Sequence, residues 1–176
     1  MSASRGFVNT LQTGAIEVTK TRKYASATEG DPNDQAHAGV TFEVYDDEDN
    51  LVASDETDAD GVVCFDGLTF GTYTVKEMVP SGYVSDDDEQ SVDVDNTAAC
   101  DDDPFGGETV SFHNTPLTDV DIDVAAQDPG ATKSTINCVD ESDESVGSSG
   151  DAEDPASLSV EDLEPGTYTC TIFIDP

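Results

Sequence analysis

The sequence predicts an all-β protein made of two tandem β-sandwiches, and three observations carry that expectation. Apolar residues alternate with polar ones in short runs, seven or so before residue 117, and no stretch has a helical period. Turn signals separate the runs: DDEDN at Asp46–Asn50, DADG at Asp58–Gly61, and the Gly67 to Gly71 segment. The final stretch, SLSVEDLEPGTYTCTIFIDP, then repeats GVVCFDGLTFGTYTVKEMVPSGY of Gly61–Tyr83, with Val160 aligned to Phe65, Leu163 to Leu68, Tyr168 to Tyr73 and Cys170 to Val75. Ile172 stands where the first copy has Glu77, so the repeat keeps the packing positions and drops a carboxylate.

Residues 1–12 form a polar arm whose sizeable apolar groups are Phe7, Val8 and Leu11, expected to be disordered unless it packs on a neighbour. The first strand is GAIEVTK, with Ile16, Val18 and Lys20 on one face. Thr21 to Gly39 reads as a loop marked by Pro32 and Gly39, after which Val40, Phe42 and Val44 alternate and lead through DDEDN into Leu51–Ser54, a hairpin. In the stretch that follows, Val63 and Phe65 share a face, as do Tyr73, Val75 and Glu77. After SDDDE come a strand at Gln90–Val94, a long loop over Asp95–Gly107, and TVSFHN, whose inward set is Val110, Phe112 and Asn114 before Pro116 ends it. This sandwich spans 13–116 and the smaller repeat 117–176, opening with Val120, Ile122 and Val124 and ending where a closing strand is expected. Either that edge stays open or another segment, such as an arm of a neighbouring chain, fills it.

Three strands of the first sandwich thus end an apolar face with a polar group: Lys20, Glu77 and Asn114. Carrying a carboxylate and an amine into an apolar interior is expensive unless they are neutral or partnered. The residues alone allow a buried Lys–Glu pair with Asn114 as a strand-end hydrogen-bonding group.

The runs GAIEVTK, GVTFEVYDDEDNLV, DADGVVCFDGLTFGTYTVKEMVPSGY and VSFHNTP, in this order, resemble the Cna B-type (SpaA-like, prealbumin-like) domains of extracellular fibres and adhesins, over residues 13 to 116. The resemblance implies prealbumin-like, Ig-like sandwiches. It also implies an internal isopeptide bond between Lys20 and Asn114 with Glu77 as its catalyst. A neutral Lys20 amine attacks the Asn114 side-chain carbonyl, Glu77 polarises that carbonyl and relays protons, and ammonia leaves. The event happens once per chain and is self-modification, so no enzyme activity is expected. Lys23 has a competing position but lies beyond the apolar run.

Forty acidic residues face six basic ones, for a formal net charge of −34. Such a charge repels nucleic acid and anionic membranes, which excludes both as partners. A lysine-poor acidic surface is similar to those of haloarchaea and their viruses, where about 1 M salt screens repulsion beyond about 3 Å. Acidic composition also suits disorder, against which the strand alternation argues. No apolar run reaches the roughly 20 residues of a membrane span, and Met1–Leu11 lacks the features of a signal peptide. For the extracellular type of domain that the resemblance implies, two settings fit without those signals: a virion surface (turret, decoration or tail protein) released by lysis, or a portion of a larger cell-surface protein.

Four cysteines allow three pairings, or none if all are reduced. Strand parity points Cys138 and Cys170 into the second sandwich, making a disulfide across its core the preferred pair. Cys64 points outward and Cys100 lies in the long loop, so their bond would pin loop to sheet. The acidic clusters at Asp46–Asp49, Asp86–Glu89 and Asp101–Asp103 read as solvated surface rather than calcium sites, and no metal or cofactor is expected. His37 and His113 have no nucleophile beside them. The leading expectation is a non-enzymatic structural module of an extracellular halophilic assembly, foremost a virion surface component (turret, decoration or tail protein), working with other structural subunits as a homo-oligomer or multi-copy assembly. The alternatives are an adhesin or pilus-like fibre module, and a carbohydrate-binding module using Tyr24, Tyr45, Phe70, Tyr83 or Phe105.

Overall fold

The protein is described by a computed structural model covering residues 11–23, 34–125, 133–149 and 156–175, in which all regular elements are strands. Contacts divide the chain into two units, the first running up to Ser81 with Ser85–Asn114, the second comprising Gly82–Val84 and the chain from Thr115 onward. Phe7, Val8, Tyr24 and Pro32 lie outside the described residues, and Leu11 is exposed. Among the described residues, no helix is long and apolar enough to cross a membrane.

Unit 1 is a sandwich of two sheets. Its strands are β1 (Thr13–Arg22), β2 (Gln35–Ala36), β3 (Thr41–Tyr45), β4 (Leu51–Glu56), β5 (Val62–Thr69), β6 (Gly71–Glu77), β8 (Glu89–Val94) and β9 (Glu108–Pro116), with β7 (Tyr83–Ser85) belonging to it through Ser85 alone. One sheet has the order β2-β1-β9-β7, with β5 also antiparallel to β1, and the other β4-β3-β6-β8. The period-2 pattern is why: Ile16 and Val18 of β1, Val63 and Phe65 of β5 and Phe112 of β9 meet Phe42 and Val44 of β3 and Tyr73 and Val75 of β6, all buried. Burying each large apolar side chain contributes roughly 1.5–3 kcal/mol, which orders the strands that present them. β2 falls in the stretch expected as loop, and β7 was not expected as a strand. With two and three residues they are too short to show alternation, and they form because neighbouring strands offer backbone partners. β1 also continues through Thr21 and Arg22, so the following loop starts later than the sequence implied.

Unit 2 contains β10 (Thr118–Asp123), β11 (Lys133–Val139), β12 (Ser145–Ser148), β13 (Ser157–Leu163) and β14 (Thr169–Asp175), in sheets β10-β13 and β12-β11-β14. It reproduces details of unit 1. Gly14 opposes Leu68 and Ile16 opposes Phe65 across a bulge; Thr118 opposes Leu163 and Val120 opposes Val160 across a matching one. Tyr73 and Tyr168 each donate a 2.7 Å hydrogen bond to the carbonyl four residues earlier, at Thr69 and Glu164. The β3–β4 and β11–β12 turns are alike too. Asp46 accepts from the amides of Asn50 and Glu48, Asp140 from those of Glu144 and Ser142, and Asp49 and Asp143 are left-handed at φ 60° and 62°. Those amides hold the Asp46 carboxyl below the usual range.

Cys64 and Cys100 are bonded, tying the 95–107 loop to β5. Cys138 and Cys170 are bonded as well, but not across the core as the sequence suggested. They sit directly opposite each other on neighbouring strands of one sheet, with Cα atoms 4.0 Å apart. The side-chain parity of β14 was legible, while its neighbour was not. Ile172, expected to point into the sandwich, is 45% exposed because nothing among the described residues covers its end of the sheet.

Candidate functional site

Both sheets of unit 1 contribute to one buried polar cluster. β1 and β9 run parallel with Lys20 opposite Phe112 and Arg22 opposite Asn114, which sets Lys20 and Asn114 on the same inner face one step apart. β6 brings Glu77 from the opposing sheet, beside Phe42 of β3. The three side chains belong to residues only 0%, 2% and 0% exposed for Lys20, Glu77 and Asn114.

Glu77 holds both neighbours. Lys20 Nζ donates to Glu77 Oε2 at 2.8 Å, and Asn114 Nδ2 donates to Glu77 Oε1 at 2.6 Å. Asn114 Oδ1 is buried with no hydrogen-bond partner among the described residues, an arrangement that is costly for a carbonyl. Burial pushes the Lys20 amine below its ordinary pKa, opposed by its hydrogen bond to Glu77 and by the charges of Glu77 and Asp86. Phe42 and Phe112 sit with ring centroids 4.9 Å apart, walling the cluster on its core side. An amine inclined to lose its proton, an amide carbonyl free to accept one, and a carboxyl touching both nitrogens are what an amine-for-ammonia exchange requires.

Two supporting residues were not picked out from the sequence. Ser85, on the short β7, donates to Glu77 Oε2 at 3.2 Å and fixes the carboxyl from outside. Gly61 accepts from the Lys20 backbone amide at 2.7 Å, and has φ 74°. A side-chain carbon on Gly61 would fall on the Lys20 carbonyl oxygen and crowd His37 and Ala36. The DADG turn was the available signal, read as a turn and not as the support of β1 at Lys20. Gly61→Ala is therefore expected to destabilise unit 1 by at least about 1–3 kcal/mol, measurable as a lower midpoint in denaturant unfolding.

The other candidates stand apart from this cluster. Lys23 is half-buried past the end of β1, its backbone amide bonded to the Asn114 carbonyl. His113 faces the opposite side of β9 from Asn114, between Asp86 at 3.0 Å and Asp34 at 3.5 Å. Among the aromatics proposed for glycan contact, Phe70 is exposed, Tyr83 and Phe105 are half-buried, and Tyr45 spends its hydroxyl on Glu43 at 2.5 Å.

Comparison with known proteins agrees on the fold. Residues 23–103 match the SpaA family, described as a prealbumin-like fold domain, which supports a Cna B/SpaA-like domain over that stretch. The match contains Glu77 and stops short of both Lys20 and Asn114. Among solved structures, BcpA, the major pilin subunit of Bacillus cereus, aligns with a TM-score of 0.57 at 16% identity, over 93% of this chain and 58% of that one. The full-length major pilin SpaD from Corynebacterium diphtheriae aligns with a TM-score of 0.55 at 13% identity, over 97% of this chain and 59% of that one. The chain thus spans less than two thirds of the length of either pilin. No curated protein matches the sequence.

Proposed function

We propose that this chain is a non-enzymatic structural module of an extracellular, multi-copy assembly, hardened by an isopeptide bond between Lys20 Nζ and Asn114 Cγ. The observation that carries this reading is the fully buried trio in which Glu77 bonds both nitrogens and the Asn114 carbonyl oxygen is unpartnered. With the Asn114 amide turned so that Oδ1 meets Glu77, the neutral Lys20 amine adds to Asn114 Cγ and Glu77 delivers a proton to the carbonyl oxygen. Glu77 then takes a proton from the attacking nitrogen and passes it to Nδ2, the C–Nδ2 bond breaks, the hydroxyl proton returns to Glu77, and one ammonia leaves for each amide formed. The new carbonyl oxygen then accepts from the Glu77 carboxyl, which removes the unsatisfied acceptor.

A covalent tie between β1 and β9, the first and last strands of unit 1 and neighbours in one sheet, suits a module that bears load, and fold-level likeness to major pilins favours a fibre or cell-surface setting over a virion surface. The test is the intact mass. The protein is expected to weigh about 17 Da less than its sequence, a deficit that survives reduction and is absent from Glu77→Ala. Reduction restores about 2 Da per disulfide and nothing more. A reduced mass equal to that of the sequence leaves Lys20 and Glu77 as a buried ion pair and removes the hardened-module reading.

A further inference from the structure

The chain from Ser85 to Asp88 lies against the buried cluster and is tied to both β6 and β9. The Glu77 backbone amide donates to the Asp88 carbonyl at 2.8 Å. Asp86 Oδ2 stands 3.0 Å from Nδ1 of His113, the residue before Asn114, and the Asp86 amide donates to the His113 carbonyl at 3.4 Å. Held by these contacts, the half-buried Ser85 keeps its hydroxyl oxygen in place and leaves its proton free to turn about the C–O bond.

That rotation has two stops. Ser85 Oγ lies 3.2 Å from Glu77 Oε2 and 3.0 Å from the Asp87 carbonyl oxygen. A hydroxyl has one proton and two lone pairs, while a carbonyl can only accept, so the proton serves one oxygen at a time. Turned to Glu77, Ser85 donates to a carboxylate. Turned to Asp87, it offers Glu77 a lone pair, which is attractive only when Oε2 carries a proton. Lys20 Nζ and Glu77 Oε2, 2.8 Å apart, share one proton and are therefore an ion pair or a neutral pair. Only the neutral pair contains an amine that can attack. Its weakness is that the new Oε2–H points back at Nζ and occupies the electron pair that the attack needs.

We propose that Ser85 is a positioning residue for amide formation, drawing that proton off the amine. As the proton passes from Nζ to Oε2, the Ser85 hydroxyl swings to the Asp87 carbonyl and accepts from Oε2–H, and the Nζ electron pair is left free for Asn114 Cγ. No bond to carbon changes in this step: one proton leaves Nζ, one arrives on Oε2, and Ser85 keeps its own. Addition to Asn114 Cγ and loss of ammonia then follow. This role rests on the cross-link reading and names the residue that readies its amine. The charged and titratable groups around the pair are Asp86, whose charge acts on Lys20, His37, which feels both Lys20 and Glu77, and Arg22, one step along the same face of β1. All three are unchanged in a Ser85 variant, so a difference in rate reports Ser85.

The full chain, made by cell-free synthesis and caught in denaturant before it reacts, is diluted into about 1 M salt at a series of pH values, and the loss of about 17 Da is timed by intact mass. Ser85→Ala is expected to slow the loss by about five- to tenfold, the scale of one hydrogen bond, wherever the pair holds its proton. Ser85→Thr, which keeps the hydroxyl, should stay within about twofold of the parent. Towards about pH 10, an amine already shifted down by burial has lost that proton, Ser85 has nothing to hold, and parent and Ser85→Ala should react equally slowly. Loosened packing would instead slow the variant at every pH. Equal rates for parent and Ser85→Ala at neutral pH, a difference that persists at about pH 10, or Ser85→Thr as slow as Ser85→Ala overturns the role of Ser85 and leaves the cross-link standing. A parent that keeps its full sequence mass removes both.

Discussion

Glu77→Ala is expected to lower the stability of unit 1 more than any other single substitution. It leaves Lys20 without its partner and Asn114 Nδ2 without its acceptor, in a site where both residues are 0% exposed. Removing one member of a buried pair costs about 3–5 kcal/mol, because the polar groups left behind have neither partner nor solvent to turn to. It also removes the proton relay, so the amide does not form. A cross-link from residue 20 to residue 114 closes a loop of roughly 100 residues, worth about 4–5 kcal/mol in the chain-entropy account. Glu77→Gln separates the two contributions, since it keeps the shape and much of the hydrogen bonding but relays no proton. Thermal unfolding followed by circular dichroism should therefore order the proteins parent, Glu77→Gln, Glu77→Ala. With about 4–8 °C per kcal/mol for a domain of this size, the steps amount to tens of degrees. A Glu77→Gln midpoint within a few degrees of the parent, together with a reduced parent mass equal to that of its sequence, would sink the cross-link.

The second large effect is expected from Cys138→Ser with Cys170→Ser. Among the described residues, unit 1 buries thirteen apolar side chains in one cluster, whereas the corresponding cluster of unit 2 buries Ile136, Cys138 and Ala156 and leans on half-buried neighbours. A core that small contributes little beyond the cost of ordering the chain, so the staple matters more there. The bond spans 32 residues, a loop whose closure stabilises by about 3–4 kcal/mol. The double variant should lose the exchange protection of β11 and β14 while the strands of unit 1 stay protected. Replacing Cys64 and Cys100 should instead free the 95–107 loop and spare the unit 1 sheets, since that bond joins a loop to a strand already held by Ile16, Val18 and their partners. Equal protection of β11 and β14 in parent and double variant would mean that packing alone holds unit 2.

Much of this molecule was legible in one dimension because strands have a period of two. The inward placement of Lys20, Glu77 and Asn114 followed from the parity of Ile16 and Val18, of Tyr73 and Val75, and of Val110 and Phe112. The repeat was legible for the same reason, since Tyr168 and Leu163 keep the spacing of Tyr73 and Leu68. Parity states which face a residue takes but not which strand lies beside it. Only the tertiary structure put β9 parallel to β1, which brings Asn114 beside Lys20 across more than ninety residues. Only it placed Cys170 opposite Cys138 within one sheet, set Gly61 against the Lys20 carbonyl, and left Ile172 and Ile174 uncovered at an edge. The physical reason is common to all of these. Side-chain alternation is a local property of the backbone, whereas strand neighbours are chosen by long-range pairing of hydrogen-bonding edges and by the burial available once the whole sheet is assembled.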